Sequence, residues 1–276
     1  MIKHSPGRMV QNLLLSILTV SFILVGPSVA AAVAKVDAKK QLEASINGMW
    51  RAEENRVRDK YRHPLETLTF FGVKPTSTVV ELIPSSKLWY AEILAPYLRE
   101  SGHYIGANVK SDREDVGQKE RLASHPDQFD KAEIREFNFK EPDFGAENSA
   151  DFFLTFRNVH NFAMNHVEDK LFAAAFKVLK HGGVLGVVDH RAPEGKSLDE
   201  VLKTGYLPEK YVVELAQKAG FKLAATSNVN NNPKDTKDYP KGVWTLPPNF
   251  AEKDVDRDKY VAIGESDRFT LRFVKP

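Results

Sequence analysis

The chain contains no cysteine, so it has no disulfide framework, no thiol nucleophile and no cysteine-ligated zinc. It has no Gly-x-Ser-x-Gly elbow and no Walker-type glycine–lysine loop, which counts against the hydrolases and nucleotide triphosphatases built on them. Net charge is slight: 39 Lys+Arg against 37 Asp+Glu leave +2. With no basic block and no interleaved aromatic stripe, a nucleic-acid partner is not expected. No histidine and acidic pair has metal-ligand spacing, so no metal site is expected either. Glycine is scarce at one telling place, the turn Pro84-Ser85-Ser86-Lys87.

What is present is the composition of a globular protein, 42% hydrophobic and 10% aromatic over 276 residues, enough to bury a self-supporting core. Lys3, His4 and Arg8 precede an apolar run, Leu13 to Val25, which is short for a membrane span. Gly26-Pro27 and the small residues Ser28-Val29-Ala30 follow it. This order predicts a secretory signal over residues 1–30 in preference to an uncleaved anchor, with the mature chain starting near Ala31 in an exported, periplasmic setting. Membrane contact is expected only through that segment.

Lys35 to Arg62 has the pattern of a helix with a thin apolar stripe, ending at His63-Pro64. A short second helix, Leu65 to Phe71, stops at Gly72. Together residues 31–75 read as a helical cap. From 76 to 276 strands and helices alternate, the mark of an α/β fold with a Rossmann-like doubly wound sheet. A strand from Val79 to Ile83 enters the glycine-poor turn and leaves through a helix ending near Ser101. The acidic Glu81 inside this strand is awkward in a core and natural at a ligand site. Tyr104 to Val109 forms a second strand with Asn108 at its tip, where a nucleotide-like ligand's ribose is met in such folds. Ser111 to Ser124 is a polar helix, and Ile134 to Phe137 a third strand leading into Asn138.

Two later strands, Asp151 to Phe156 and Val184 to Val188, run into polar bursts, Arg157-Asn158-Val159-His160-Asn161 and Asp189-His190-Arg191. Bursts at the carboxyl ends of consecutive parallel strands predict one shared cleft with Glu81 and Asn108. Val167 to Leu179 and Pro208 to Ala219 are helical, and Phe221 to Thr226 is a sixth strand. The long segment Asn228 to Phe250 is either functional or disordered by its length, with Trp244 and Leu246 to anchor it. Arg268 to Val274 alternates, as an antiparallel strand at the sheet edge would.

The strings RDKYRHPLETLTFFGVKP, LTFRNVHNF, HGGVLGVVDHRAP, NPKDTKDYPKGVWTLPP and DRFTLRFVKP, in this order, carry a resemblance. The chain resembles the class I S-adenosylmethionine-dependent methyltransferases, and in detail a family of exported bacterial predicted methyltransferases, from about Arg51 to Pro276. The resemblance implies about seven strands with the last antiparallel, S-adenosylmethionine as cofactor and a small-molecule substrate. It places cofactor contacts at Glu81, Pro84, Ser85, Ser86, Asn108, Asn138, Arg157 and Asn158. The family's glycine run is here Pro84-Ser85-Ser86-Lys87-Leu88, and its usual ribose carboxylate is Asn108. A methyltransferase-like binding protein without catalysis is therefore the alternative to an enzyme.

For Asp189-His190-Arg191 two readings stand side by side. Arg191 would hold a substrate carboxylate while His190, oriented by Asp189, takes a proton, or the three form a strand-end salt-bridge cluster. His160 with Asn158 would position a nucleophile or the cofactor's amine, or belong to an ordinary hydrogen-bonded loop. His63 and His166 are expected to be surface or capping residues.

Overall fold

In a computed structural model, residues 1–2, 27–112 and 115–276 are described, with backbone only over 27–36. Most of the expected signal segment therefore lies outside the described residues. Among the described residues no helix is long and apolar enough to cross a membrane. Met1–Val36 and Asp37–Pro276 form separate compact units, and the second carries everything that follows.

The single helix expected from Lys35 to Arg62 is three: α1 (Pro27–Ile46), α2 (Glu53–Arg56) and α3 (Asp59–Arg62). The break falls at Gly48, where an added Cβ would meet the Trp50 ring at 2.2 Å. That ring folds back so that its Nε1–H donates to the Glu92 carbonyl at 2.8 Å. Helix α4 (Pro64–Phe71) starts with proline in its first turn and ends at Gly72, left-handed at φ 88°, as helix-boundary chemistry requires.

Strand β1 (Thr78–Leu82), helix α5 (Ala91–Leu98) and strand β2 (His103–Val109) form the first unit. Helices α6 (Val116–Ser124) and α7 (Pro126–Phe129), strands β3 (Glu133–Phe137) and β4 (Ala150–Phe156), and helices α8 (Val159–Met164) and α9 (Glu168–Val178) follow. Then come β5 (Leu179–His190), α10 (Leu198–Val201), α11 (Glu209–Lys218), β6 (Lys222–Ser227), α12 (Arg257–Ile263) and β7 (Arg268–Val274). The seven strands make one sheet in the order β3-β2-β1-β4-β5-β7-β6. All neighbours from β3 to β5 are parallel, and β7 is antiparallel to both β5 and β6. The last strand is thus antiparallel as expected but not at the edge. It is inserted between β5 and β6, which explains why five of its seven residues are buried.

Strand residues divide their neighbours by parity. Val80, Leu82, Phe153, Leu185 and Val187 enter a core with α8, α9 and α11. Val79, Phe152, Leu154, Val184 and Val188 enter another with α4 and α5. The cap is fastened to the turn after β1. Asn55 of α2, fully buried, donates to the Lys87 carbonyl at 2.7 Å and the Glu92 carboxylate at 2.8 Å. Its own carbonyl accepts from Trp89 Nε1–H at 2.7 Å.

Candidate functional site

Register brings the polar bursts together. Phe156 pairs with Val188, and the Arg157 amide continues the ladder by donating to the Val188 carbonyl at 2.7 Å. The residues after β4 and β5 therefore emerge side by side. With the turn after β1 they line a cavity of about 220 Å³, bounded by Glu81, Ile83, Pro84, Ser85, Arg157, Asn158, His160, Asn161 and His190. Its cap side is Arg62, Trp89 and Tyr90, and its cover is Trp244 with Pro247 to Asn249. The long segment Asn228 to Phe250 is thus a fitted cover. Its Leu246 and Thr245 are fully buried, and Asp235 accepts from the Tyr206 hydroxyl at 2.9 Å and the Asp267 amide at 2.7 Å.

The turn after β1 keeps a glycine-type path without glycine. Ile83, Ser85 and Leu88 are left-handed, at φ 48°, 61° and 51°. That region costs a residue with a Cβ roughly 1–2 kcal/mol, and for a β-branched residue such as Ile83 it is a genuine outlier. Strain of this kind persists where surrounding contacts impose it. Here these include the Ile83 amide donating to the Ala107 carbonyl at 2.8 Å and Asn158 Nδ2–H donating to the Leu82 carbonyl at 2.9 Å.

Glu81 is buried and accepts from the Tyr104 hydroxyl at 2.7 Å. Burial pushes its carboxyl up to about 8, against the Tyr104 hydrogen bond and the charge of Arg62. It is therefore predominantly a neutral acid at neutral pH.

Asp189 holds His160, where it was expected to orient His190. Its carboxylate lies 2.9 Å from His160 Nδ1 and accepts the His190 backbone amide at 2.8 Å. A carboxylate only accepts, so the shared proton sits on Nδ1, and in the neutral ring the lone pair is on Nε2. Residues 159–164 form helix α8, which the sequence did not reveal, and this helix carries His160 back over Asp189. His190 pairs through Nδ1 with the Ser266 hydroxyl. Burial, then the charges of His160, Arg157, Arg268 and Arg62, push it well below the ordinary histidine value. Ligand atoms of His160, Asp189 and His190 lie within 4.8 Å of one another, but the arginines beside them oppose a cation.

Those arginines gather around one carboxylate. Glu265 pairs with Arg58 at 2.6 Å, Arg62 at 3.4 Å and Arg268 at 3.1 Å. Burial opposes its ionisation, yet Arg62, Arg268, Arg58 and Arg157 hold it far below the ordinary carboxylate range. Arg157, left-handed at φ 62°, faces the cavity. Burial and the like charges of Arg58 and Arg268 push it down to about 10 despite Glu265, so it stays cationic at neutral pH.

Several expected site residues lie elsewhere. Arg191 pairs with Glu209 and, at 3.4 Å, with Asp267, and donates to Asn231 at 2.8 Å. It is a strand-end salt-bridge residue, turned away because its amide donates to the Asp267 carbonyl at 3.0 Å. Asn108 donates to the buried Gln118 at 2.6 Å, and Gln118 reaches the Ser85 carbonyl at 3.4 Å. Asn108 therefore does not line the cavity. Asn138 caps a surface turn, accepting from the Lys140 amide at 2.9 Å. Ser86 is exposed and is not among the residues lining the cavity. His63 and His166 are left-handed helix-boundary residues. Glu265, Ser266 and Arg268 were missed, because they flank the start of β7, whose central place no local pattern announces.

No family model matches the chain, and no curated protein matches it. Solved structures do. A SAM-dependent methyltransferase from Aquifex aeolicus aligns over 86% of this chain and 98% of its own, with TM-score 0.55 and 14% identity. The chain has the fold of these methyltransferases. SpnF, a [4+2]-cyclase, aligns over 88% of this chain and 96% of its own, with TM-score 0.53 and 15% identity. The methyltransferase fold thus hosts more than one chemistry, and the site must decide among them.

Proposed function

We propose that the chain transfers a methyl group from S-adenosylmethionine to a small molecule, with His160 as general base. The observation that carries this reading is the Asp189–His160 pair, 2.9 Å apart, at the cavity where β1, β4 and β5 end. When bound, the cofactor supplies an activated methyl group on a sulfonium. The residues fit its amino-acid end. Glu81 is poised to ionise toward an ammonium, and Asn158 with Ile83 and Ser85 of the left-handed turn lines the cavity beside it. Asn108, tied to Gln118 outside the cavity, would meet the ribose only with that hydrogen bond broken.

His160 Nε2 accepts the proton that the acceptor atom loses, and Asp189 keeps the imidazole in the required tautomer. Trp244, whose ring lies 6.1 Å from that of His160, closes the cavity with Pro247 and Pro248 and limits water. Methyl transfer asks little more of side chains than alignment.

The second reading, a binding protein without catalysis, is supported by the Gln118 bridge from Asn108 to Ser85. Amide resonances of the labelled protein test the choice of site. S-adenosylhomocysteine is expected to shift Ile83, Ser85, Ser86 and residues 157–160. Shifts confined to other surfaces would contradict the cofactor assignment.

A further inference from the structure

Positive charge at and beside the cavity exceeds what its partners neutralise. Four guanidinium groups, those of Arg58, Arg62, Arg157 and Arg268, act on the single carboxylate of Glu265. Glu81, the other acidic residue lining the cavity, is predominantly neutral at neutral pH. Asp189 sits behind His160, committed to it and to two backbone amides. The excess has a direction. Among the described residues the Arg157 guanidinium makes no hydrogen bond and no ion pair, and it lines the cavity. Nη2 of Arg62 and of Arg58 are likewise buried without a partner. Arg62 is held in place by Glu265 and by the Trp89 ring, 4.6 Å from its guanidinium carbon. Leaving guanidinium donors unmatched in a buried site costs free energy, and a planar fork is matched by a carboxylate or a phosphate.

We propose that the methyl acceptor is a small acid, its carboxylate or phosphate seated on Arg157 and Arg62 and its nucleophilic atom turned toward His160. The acceptor role rests on the methyl-transfer reading; the anion seat does not. Aromatic walls, Tyr90 stacked on Phe156 at 3.5 Å and Trp244 opposite, suit an organic body on that acid. The cofactor's own carboxylate is the other source of the same chemistry. Position favours the acceptor. Glu265 and Arg268 precede and begin β7, on the far side of β5, and Arg58 and Arg62 come from the cap. The cofactor's ammonium is assigned to Glu81 on β1, with β4 and β5 between that strand and β7.

Calorimetric titration with benzoate and phenyl phosphate, alone and with saturating S-adenosylhomocysteine, tests the proposal. At least one acid is expected to bind saturably at one site, with or without S-adenosylhomocysteine. Arg157→Gln is expected to weaken it by about tenfold or more, the worth of a charge-assisted hydrogen bond. Lys196→Gln, which removes the same charge from the surface, should leave it unchanged. Arg157→Lys keeps the charge without the fork and serves the comparison if the Gln variant does not fold.

Failure of both acids to bind, or binding indifferent to Arg157, would overturn the proposal. So would acids that compete with S-adenosylhomocysteine while Arg157→Gln weakens the latter and spares 5′-methylthioadenosine, which lacks the carboxylate. Acid binding through Arg157 in a protein that ignores S-adenosylhomocysteine would keep the anion seat and defeat the methyl-transfer reading instead.

Discussion

The buried carboxylate of Asp189 holds the ring of His160, 29 positions earlier in the chain, at 2.9 Å. His190, its immediate neighbour, gives it only a backbone amide, at 2.8 Å. The His190 ring turns its Nδ1 to the Ser266 hydroxyl instead, so the imidazole that Asp189 meets comes from another segment. Helix α8 brings it.

This geometry sets the tautomer. Long-range proton–nitrogen correlation spectra of the neutral ring should find His160 protonated on Nδ1, with Nε2 unprotonated. In Asp189→Asn the preference should weaken or reverse, because an amide can donate as well as accept. A native His160 carrying its proton on Nε2 would remove it as the proton acceptor.

Glu81 makes stability depend on pH in an unusual direction. Its carboxyl rises from an ordinary 4.5 to about 8 in the fold, through burial. Between those values the folded protein holds a proton that the unfolded chain has lost. Stability therefore falls as pH rises through this window and levels off above it. The loss should be on the order of a few kcal/mol. Thermal unfolding of Glu81→Gln, which can still accept from Tyr104, should lack this component. Native and variant profiles running parallel from pH 5 to 9 would contradict it.

Arg191 belongs to the framework. Its pairs with Glu209 and Asp267 and its hydrogen bond to Asn231 tie the end of β5 to α11 and to the segment before β7. Arg191→Ala should lower stability by about 1–2 kcal/mol and leave ligand binding in the cavity unaltered. Weakened binding at unchanged melting temperature would return Arg191 to the site.

Much of the scaffold was legible in sequence because periodicity is local. The strand ends at Phe156 and Val188 and the bursts after them were set by apolar runs giving way to polar residues. Their shared cleft followed from parallel order alone. What was not legible depends on which strands neighbour which. The alternation in Arg268 to Val274 fits an edge strand as well as an inserted one, so the placement of Glu265 and Arg268 against Arg62 of the cap stayed hidden. Asn108 was found at its strand tip as expected, yet Gln118, ten residues on in a polar helix, takes its amide. The turn after β1 was read by its missing glycines. Its left-handed residues show that tertiary contacts impose the path that glycine would have adopted freely.

The central claim is that this cavity belongs to a cofactor site, and isothermal titration with S-adenosylhomocysteine tests it most directly. One molecule should bind per chain. Gln118→Ala, which frees Asn108 and the Ser85 carbonyl, should bind more tightly, by about threefold to tenfold for one released hydrogen bond. Absence of binding to both proteins, with the fold intact, would contradict the claim.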